Sequence, residues 1–94
     1  RSRLWRGYVM DCLALFDSGN YAIGLCGILE RMGYVFELVS IPCRIAKTGC
    51  GYCLRFPEDY KEMVVGEGRS NGFPVREIYR IIPEFSKNAY KKIY

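Results

Sequence analysis

Histidine is absent from these 94 residues. That removes Ser-His and Cys-His nucleophile pairs and every histidine metal site in one step. Long apolar runs are missing as well. No uncharged hydrophobic stretch approaches eighteen residues, so no helix is expected to cross a membrane. The chain shows no internal repeat, no low-complexity segment and no signal-peptide pattern. It also lacks an initiator methionine, and Arg1 to Gly7 are expected to be disordered, vector-derived or part of an upstream sequence.

What remains has the composition of a folded domain: 50% hydrophobic and 26% charged, which excludes a disordered tail. At 10.9 kDa a single domain is the ceiling, and about 65% of the extended chain's surface would be buried on folding. That supports one modest core without a metal or disulfide staple. Fourteen Lys and Arg against ten Asp and Glu leave a net charge of +4. Much of the excess lies at the ends, in Arg1, Arg3, Arg6, Lys87, Lys91 and Lys92, the pattern of a solvated fringe. Five cysteines, an odd number without a secretion signal, point to a reducing, cytoplasmic compartment.

Hydrophobic periodicity divides the chain into alternating elements. The apolar run Val9 to Phe16 reads as a buried central strand. Asp17-Ser18-Gly19-Asn20 can turn the chain and cap a helix, and Ala22, Leu25, Cys26, Leu29 and Met32 recur at helical spacing up to Gly33. Gly24 and Gly27 each weaken that helix by about 1 kcal/mol unless something packs closely there. Tyr34 to Ile41 and Gly51 to Phe56 predict two further strands, ended by Pro42 and Pro57. A short helix is expected over Glu58 to Val65, stopped by Gly66-Glu67-Gly68, and a fourth strand over Val75 to Ile82. Residues 84–94 are expected to be a tail or a short helix. The order βαββαβ predicts an α+β fold over residues 8–83, a ferredoxin-like plait of four antiparallel strands with two helices on one face.

Residues 42–56 carry three of the five cysteines, Cys43, Cys50 and Cys53, with Arg44 and Lys47 between them. Only a thiolate is nucleophilic, and neighbouring cations favour it. Cys50 stands between Gly49 and Gly51, where no side chain crowds the sulfur and the backbone can offer N–H groups. These features make Cys50 the first candidate for a reactive or persulfide-bearing thiol, with Arg44, Lys47 and Gly51 stabilising the anion. Cys53 is the candidate resolving thiol. Cys12 and Cys26 fall on apolar stripes and are expected to be packing residues.

At this point the chain resembles a known family, the small bacterial domains described as putative selenium/sulfur carrier protein-like. Their first apolar strand ends in Phe-x-Ser, matched by Phe16-Asp17-Ser18, and an Ala-rich helix follows, here Ala22 to Gly33. Later a Pro/Arg segment and a Cys-Gly pair lead into an apolar strand ending Arg-Phe. Arg44, Cys50, Gly51, Leu54, Arg55 and Phe56 match that motif. The resemblance runs from about Tyr8 to Tyr79. Cys26 stands where the family usually has an acidic residue, Cys43 lies near a usual proline, and Thr48 alone keeps the hydroxyl character ahead of Cys-Gly. The resemblance implies a carrier of sulfur or selenium on Cys50, serving a donor enzyme and an acceptor protein rather than turning over a substrate. Cys53 is not part of the family pattern. No cofactor or metal is implied.

Four other readings compete. Cys50-Gly51-Tyr52-Cys53 is a C-x-x-C and suggests a dithiol switch. Three residues of strand span about 10 Å with side chains on opposite faces, however, so a disulfide forms only if Gly51 bends the chain. A zinc site from Cys43, Cys50 and Cys53 lacks a fourth ligand unless Cys12, Cys26 or a second subunit supplies it. A plait with a Gly-rich third strand also suggests RNA binding, but Cys50 stands where an aromatic is needed for base stacking. Finally, an open sheet face bearing Val9, Leu13 and Tyr79 would be an apolar patch suited to a homodimer, which would make the chain a structural or regulatory protein-interaction module.

Overall fold

The computed structural model describes residues 10–46 and 51–94. The segment Arg1 to Gly7, with Val9, lies outside the described residues, as do Lys47, Thr48 and Cys50. In chain order the elements are β1 (Asp11–Phe16), α1 (Gly19–Arg31), β2 (Glu37–Ser40), β3 (Tyr52–Pro57), a 3-10 turn (Glu58–Tyr60), α2 (Lys61–Ser70), β4 (Val75–Pro83) and β5 (Asn88–Lys92). The strands form one open sheet in the order β2-β3-β1-β4-β5, every neighbouring pair antiparallel. Because β3 is antiparallel to both β1 and β2, those two run the same way, and α1 carries the chain over β3 between them. Among the described residues no helix is long and apolar enough to span a membrane.

Local chemistry explains where the helices begin and end. Ser18 has extended backbone, and its hydroxyl accepts from the Asn20 amide at 3.1 Å, capping α1. At the far end Gly33 takes φ +98°, its amide bonds the Glu30 carbonyl at 3.0 Å and the Tyr34 amide bonds the Leu29 carbonyl at 2.9 Å. This is the paired Schellman closure, and a residue with a Cβ would be strained there. The first helix therefore lies where its caps predict.

The second helix is longer than expected. It begins after the 3-10 turn and passes through Gly66, Glu67 and Gly68 to Ser70. Gly68 is not a stop signal but a contact: a Cβ there would stand 2.6 Å from the Phe73 carbonyl oxygen. The actual stop is Gly72, at φ +81°, with Phe73 N–H returning to the Gly68 carbonyl at 2.8 Å. The second strand is correspondingly shorter than the expected Tyr34–Ile41. Tyr34 and Phe36 leave the ladder and gather around Tyr60, with ring centroids 5.6 and 5.5 Å from it.

Among the described residues the sheet has five strands, not four, because the expected tail or short helix contains β5. After Pro83 the Glu84 amide bonds the Lys87 carbonyl at 3.0 Å and reverses the chain. Tyr90 then pairs with Ile81 and Ala89 with Ile82. Lys91 and Lys92 lie on the outermost strand, where charged side chains discourage further edge pairing.

Each face of the sheet has its own apolar cluster. On one, Cys12, Ala14 and Phe16 of β1 join Leu54 and Phe56 of β3 beneath Ala22, Leu25 and Leu29 of α1 and Val64 of α2. Both helices therefore cover this face. The other, expected to be open, holds Leu13, Leu15, Cys53, Tyr79 and Ile81, with Ile45 from the β2–β3 connection packed over them. Leu13 and Tyr79 are only 2% and 8% exposed. The patch that suggested a dimer face is thus covered at its centre by the chain itself.

Candidate functional site

The register of the ladder brings the two family-like motifs together. Since Ala14 pairs with Leu54 in antiparallel sense, β1 leaves the sheet at the end where β3 enters. Ser40 pairs with Tyr52 and Phe16 with Val75, so β2 ends and β4 begins at this same end. The N-terminus of α1 sits directly on the start of β3: a Cβ on Gly19 would stand 3.4 Å from the Tyr52 amide nitrogen. Phe16-Asp17-Ser18 and Gly51-Tyr52 are therefore neighbours despite their separation in sequence. A 13-residue helix directs the positive end of its macrodipole here.

Two side chains at this end were not singled out from the sequence. Asp17 accepts an ion pair from Arg76 at the start of β4, 3.5 Å between Oδ1 and Nη1. Tyr52 is half exposed, at 51%. Neither has a local sequence signal, since each depends on which strands become neighbours.

Cys50 and Lys47 lie outside the described residues. Gly51 closes the base of the β2–β3 connection, its carbonyl accepting from the Ile41 amide at 2.9 Å. A Cβ on Gly51 would meet only Ile41 Cδ1, at 3.5 Å, an ordinary contact. Arg44 is exposed, and its Nη1 donates to the Asn88 carbonyl of β5 at 3.0 Å. Arg55, the other motif arginine, belongs to a different part of the molecule. Its guanidinium holds Asp11 of β1 at 2.9 Å, toward the opposite end of the sheet.

The described cysteines are sorted by environment. All four are free thiols. Cys53 is fully buried in the cluster that includes Ile45, and desolvation pushes its thiol up to about 12. Cys12, buried on the helix-covered face, is likewise raised to about 12, by desolvation first and then by the Glu58 carboxylate. Cys26 donates its S–H to the Phe36 carbonyl at 3.6 Å and is also raised, again mainly by desolvation. Cys43 is exposed.

This sorting bears on the rival readings. Cys53 is ionised and accessible only if the connection above it moves, so a resolving or dithiol role requires local opening. Cys12 and Cys53 lie in clusters on opposite faces of the sheet and cannot join one zinc site. Among the described residues no three Cys, Asp or Glu side chains are gathered to hold a metal. The face an RNA-binding sheet would present to bases has Leu13, Cys53 and Tyr79 at its centre, all buried. Tyr79 also donates its hydroxyl to Glu77 at 3.1 Å.

No curated protein and no solved structure matches the chain. One family does. Its members are described as putative Se/S carrier protein-like, and it matches residues 11–80. That stretch runs from the first residue of β1 to Arg80 in β4 and takes in the capped α1, the β2–β3 connection and the start of β3. By that match the chain belongs to the putative Se/S carrier protein-like family.

Proposed function

We propose that this chain is a sulfur or selenium carrier that holds its cargo on Cys50 as a persulfide or selenosulfide. Three observations support the reading. Membership of the family supplies the class of activity. Burial removes two rival thiols, since Cys12 and Cys53 keep their protons at neutral pH and are screened from any donor protein. The observation that carries it is the seating of the α1 N-terminus on Tyr52, two residues after Cys50. The helix directs its positive end at the entry to the strand that follows Cys50, and such a field favours a thiolate or a terminal persulfide anion.

The transfer step balances without an added oxidant or reductant. The Cys50 thiolate attacks the outer sulfur of a donor persulfide and forms a new S–S bond. The donor's own S–S bond breaks, and its inner sulfur leaves as a thiolate. Delivery is the same exchange in reverse order, with an acceptor thiolate taking the terminal atom. Lys47 and Gly51 would steady the anionic end, and Cys53 would serve release only when uncovered. We read the core up to β4 as a ferredoxin-like plait with β5 appended, working in a reducing cytoplasm where free thiols persist.

The test is transfer of labelled sulfur from a low-molecular-weight persulfide to purified protein. The native chain should retain about one equivalent. Cys50→Ser should abolish retention, whereas Cys43→Ser and Cys53→Ser should keep it. Retention by the Cys50→Ser protein equal to that of the native chain would refute the assignment.

A further inference from the structure

The connection between β2 and β3 does not simply turn back. It leaves the β2 edge of the sheet, yet Arg44 donates to the Asn88 carbonyl on β5, the strand at the other edge. Four strand spacings separate the two edges, about 19 Å. Midway, Ile45 is buried among Leu13 and Leu15 of β1, Cys53 of β3 and Tyr79 and Ile81 of β4, with Tyr90 of β5 packed against the same cluster. Its amide and that of Ala46 both bond the Pro42 carbonyl at 3.0 Å, which stiffens the segment into a single turn. The segment is therefore held at two points, one apolar and one polar, before the chain returns to Gly51.

We infer that the β4–β5 hairpin is a positioning element for this connection: by accepting Arg44 and backing Ile45 it pins the segment that leads to Cys50, and Arg44 is a positioning residue. The inference rests on the carrier reading for its functional meaning. It goes beyond family membership, because β5 lies outside the stretch that the family matches. It also gives Arg44 a different task from the anion-stabilising one that its place in the motif suggests. A guanidinium bound to a backbone carbonyl acts as a strut.

Cys53 makes the pinning measurable, since it is fully buried in the same apolar cluster as Ile45. The full-length protein and its Arg44→Gln, Ile45→Ala and Lys91→Gln variants are treated with iodoacetamide, and labelling of Cys53 and Cys50 is followed by peptide mass spectrometry. Loading of Cys50 from glutathione persulfide is measured in parallel. Arg44→Gln should raise the Cys53 labelling rate about five-fold, the change in open population expected when one hydrogen bond of ordinary strength is lost. Ile45→Ala should raise it at least as much. Lys91→Gln, which removes a β5 cation paired with Arg80 of β4, should leave it unchanged. A purely anion-stabilising Arg44 would slow Cys50 loading without altering Cys53 protection, and that result would overturn the inference. Absence of Cys50 loading in the native chain would end the carrier reading, while increased Cys53 labelling in Arg44→Gln would still establish the pinning.

Discussion

Gly19 and Tyr52 are in contact through their backbones: a Cβ on Gly19 would lie 3.4 Å from the Tyr52 amide nitrogen. Through this contact the N-terminus of the first helix meets the strand entered just after Cys50. Ser18 holds that helix end in place by accepting from the Asn20 amide at 3.1 Å. Ser18→Ala should cost about 1 kcal/mol of stability through the lost cap. It should also raise the pH midpoint of Cys50 alkylation, because the helix end becomes less ordered. Denaturant unfolding and a pH series of alkylation rates read the two effects separately.

The glycines divide into two kinds, and alanine substitutions distinguish them. A Cβ on Gly27 would meet only the tip of the Arg31 side chain within 4 Å, and one on Gly66 would meet nothing. Alanine at either should stabilise its helix by about 0.5–1 kcal/mol. At Gly24 a Cβ would fall 2.7 Å from the Phe73 ring, and at Gly68 it would fall 2.6 Å from the Phe73 carbonyl oxygen. Alanine at Gly68 should destabilise by about 1–3 kcal/mol, since backbone must shift, with Gly24→Ala toward the lower end because a ring can move. Thermal unfolding of the four variants should show opposite signs within each helix.

The buried thiols predict alkaline weakening. Cys12 and Cys53 are raised from 9.0 to about 12 in the folded chain. Above pH 9 the unfolded chain releases these protons while the folded chain keeps them, so stability falls as pH rises toward 12. The slope should approach about 1.4 kcal/mol per pH unit for each thiol. Cys53→Ala should be less stable at neutral pH because of the cavity, yet show a shallower alkaline decline. Denaturant unfolding from pH 8 to 11 checks both.

Glu58 and Arg80 give the opposite pH dependence. Arg80 donates from Nε and Nη2 to the two Glu58 carboxylate oxygens, at 2.8 and 2.7 Å. These hydrogen bonds, outweighing partial burial, hold the Glu58 carboxyl below its ordinary 4.5. A depressed carboxylate contributes stability that is present above the ordinary value and is lost as pH falls through the folded one. Glu58→Gln should therefore lower Tm at pH 7, and its difference from the native chain should close as pH drops below 4.5.

Much of this architecture was legible from local chemistry. Ser18 and Gly33 marked the ends of α1, and the apolar runs around Leu13, Leu54 and Ile78 located three core strands. Local signals failed where tertiary contact sets the outcome. Gly68 resembles a helix breaker unless the Phe73 carbonyl beside it is known. Asn88 to Lys92 is too polar to announce a strand, because an edge strand buries little of its surface. Ile45 is one apolar residue in a loop, and nothing nearby in sequence reveals that it covers the second face. The site was legible in one half only. The Cys-Gly pair stands out by its neighbours in the chain, but the approach of Tyr52 to Phe16-Asp17-Ser18 follows from β1 and β3 lying side by side.

The most direct measurement is a peptide mass map of the native chain after incubation with a persulfide or selenosulfide donor under non-reducing conditions. The account predicts a mass increment of one sulfur or selenium atom on the peptide containing Cys50, removed by dithiothreitol and absent from the peptides containing Cys12 and Cys53. An increment confined to Cys43, or none on any cysteine, would contradict it.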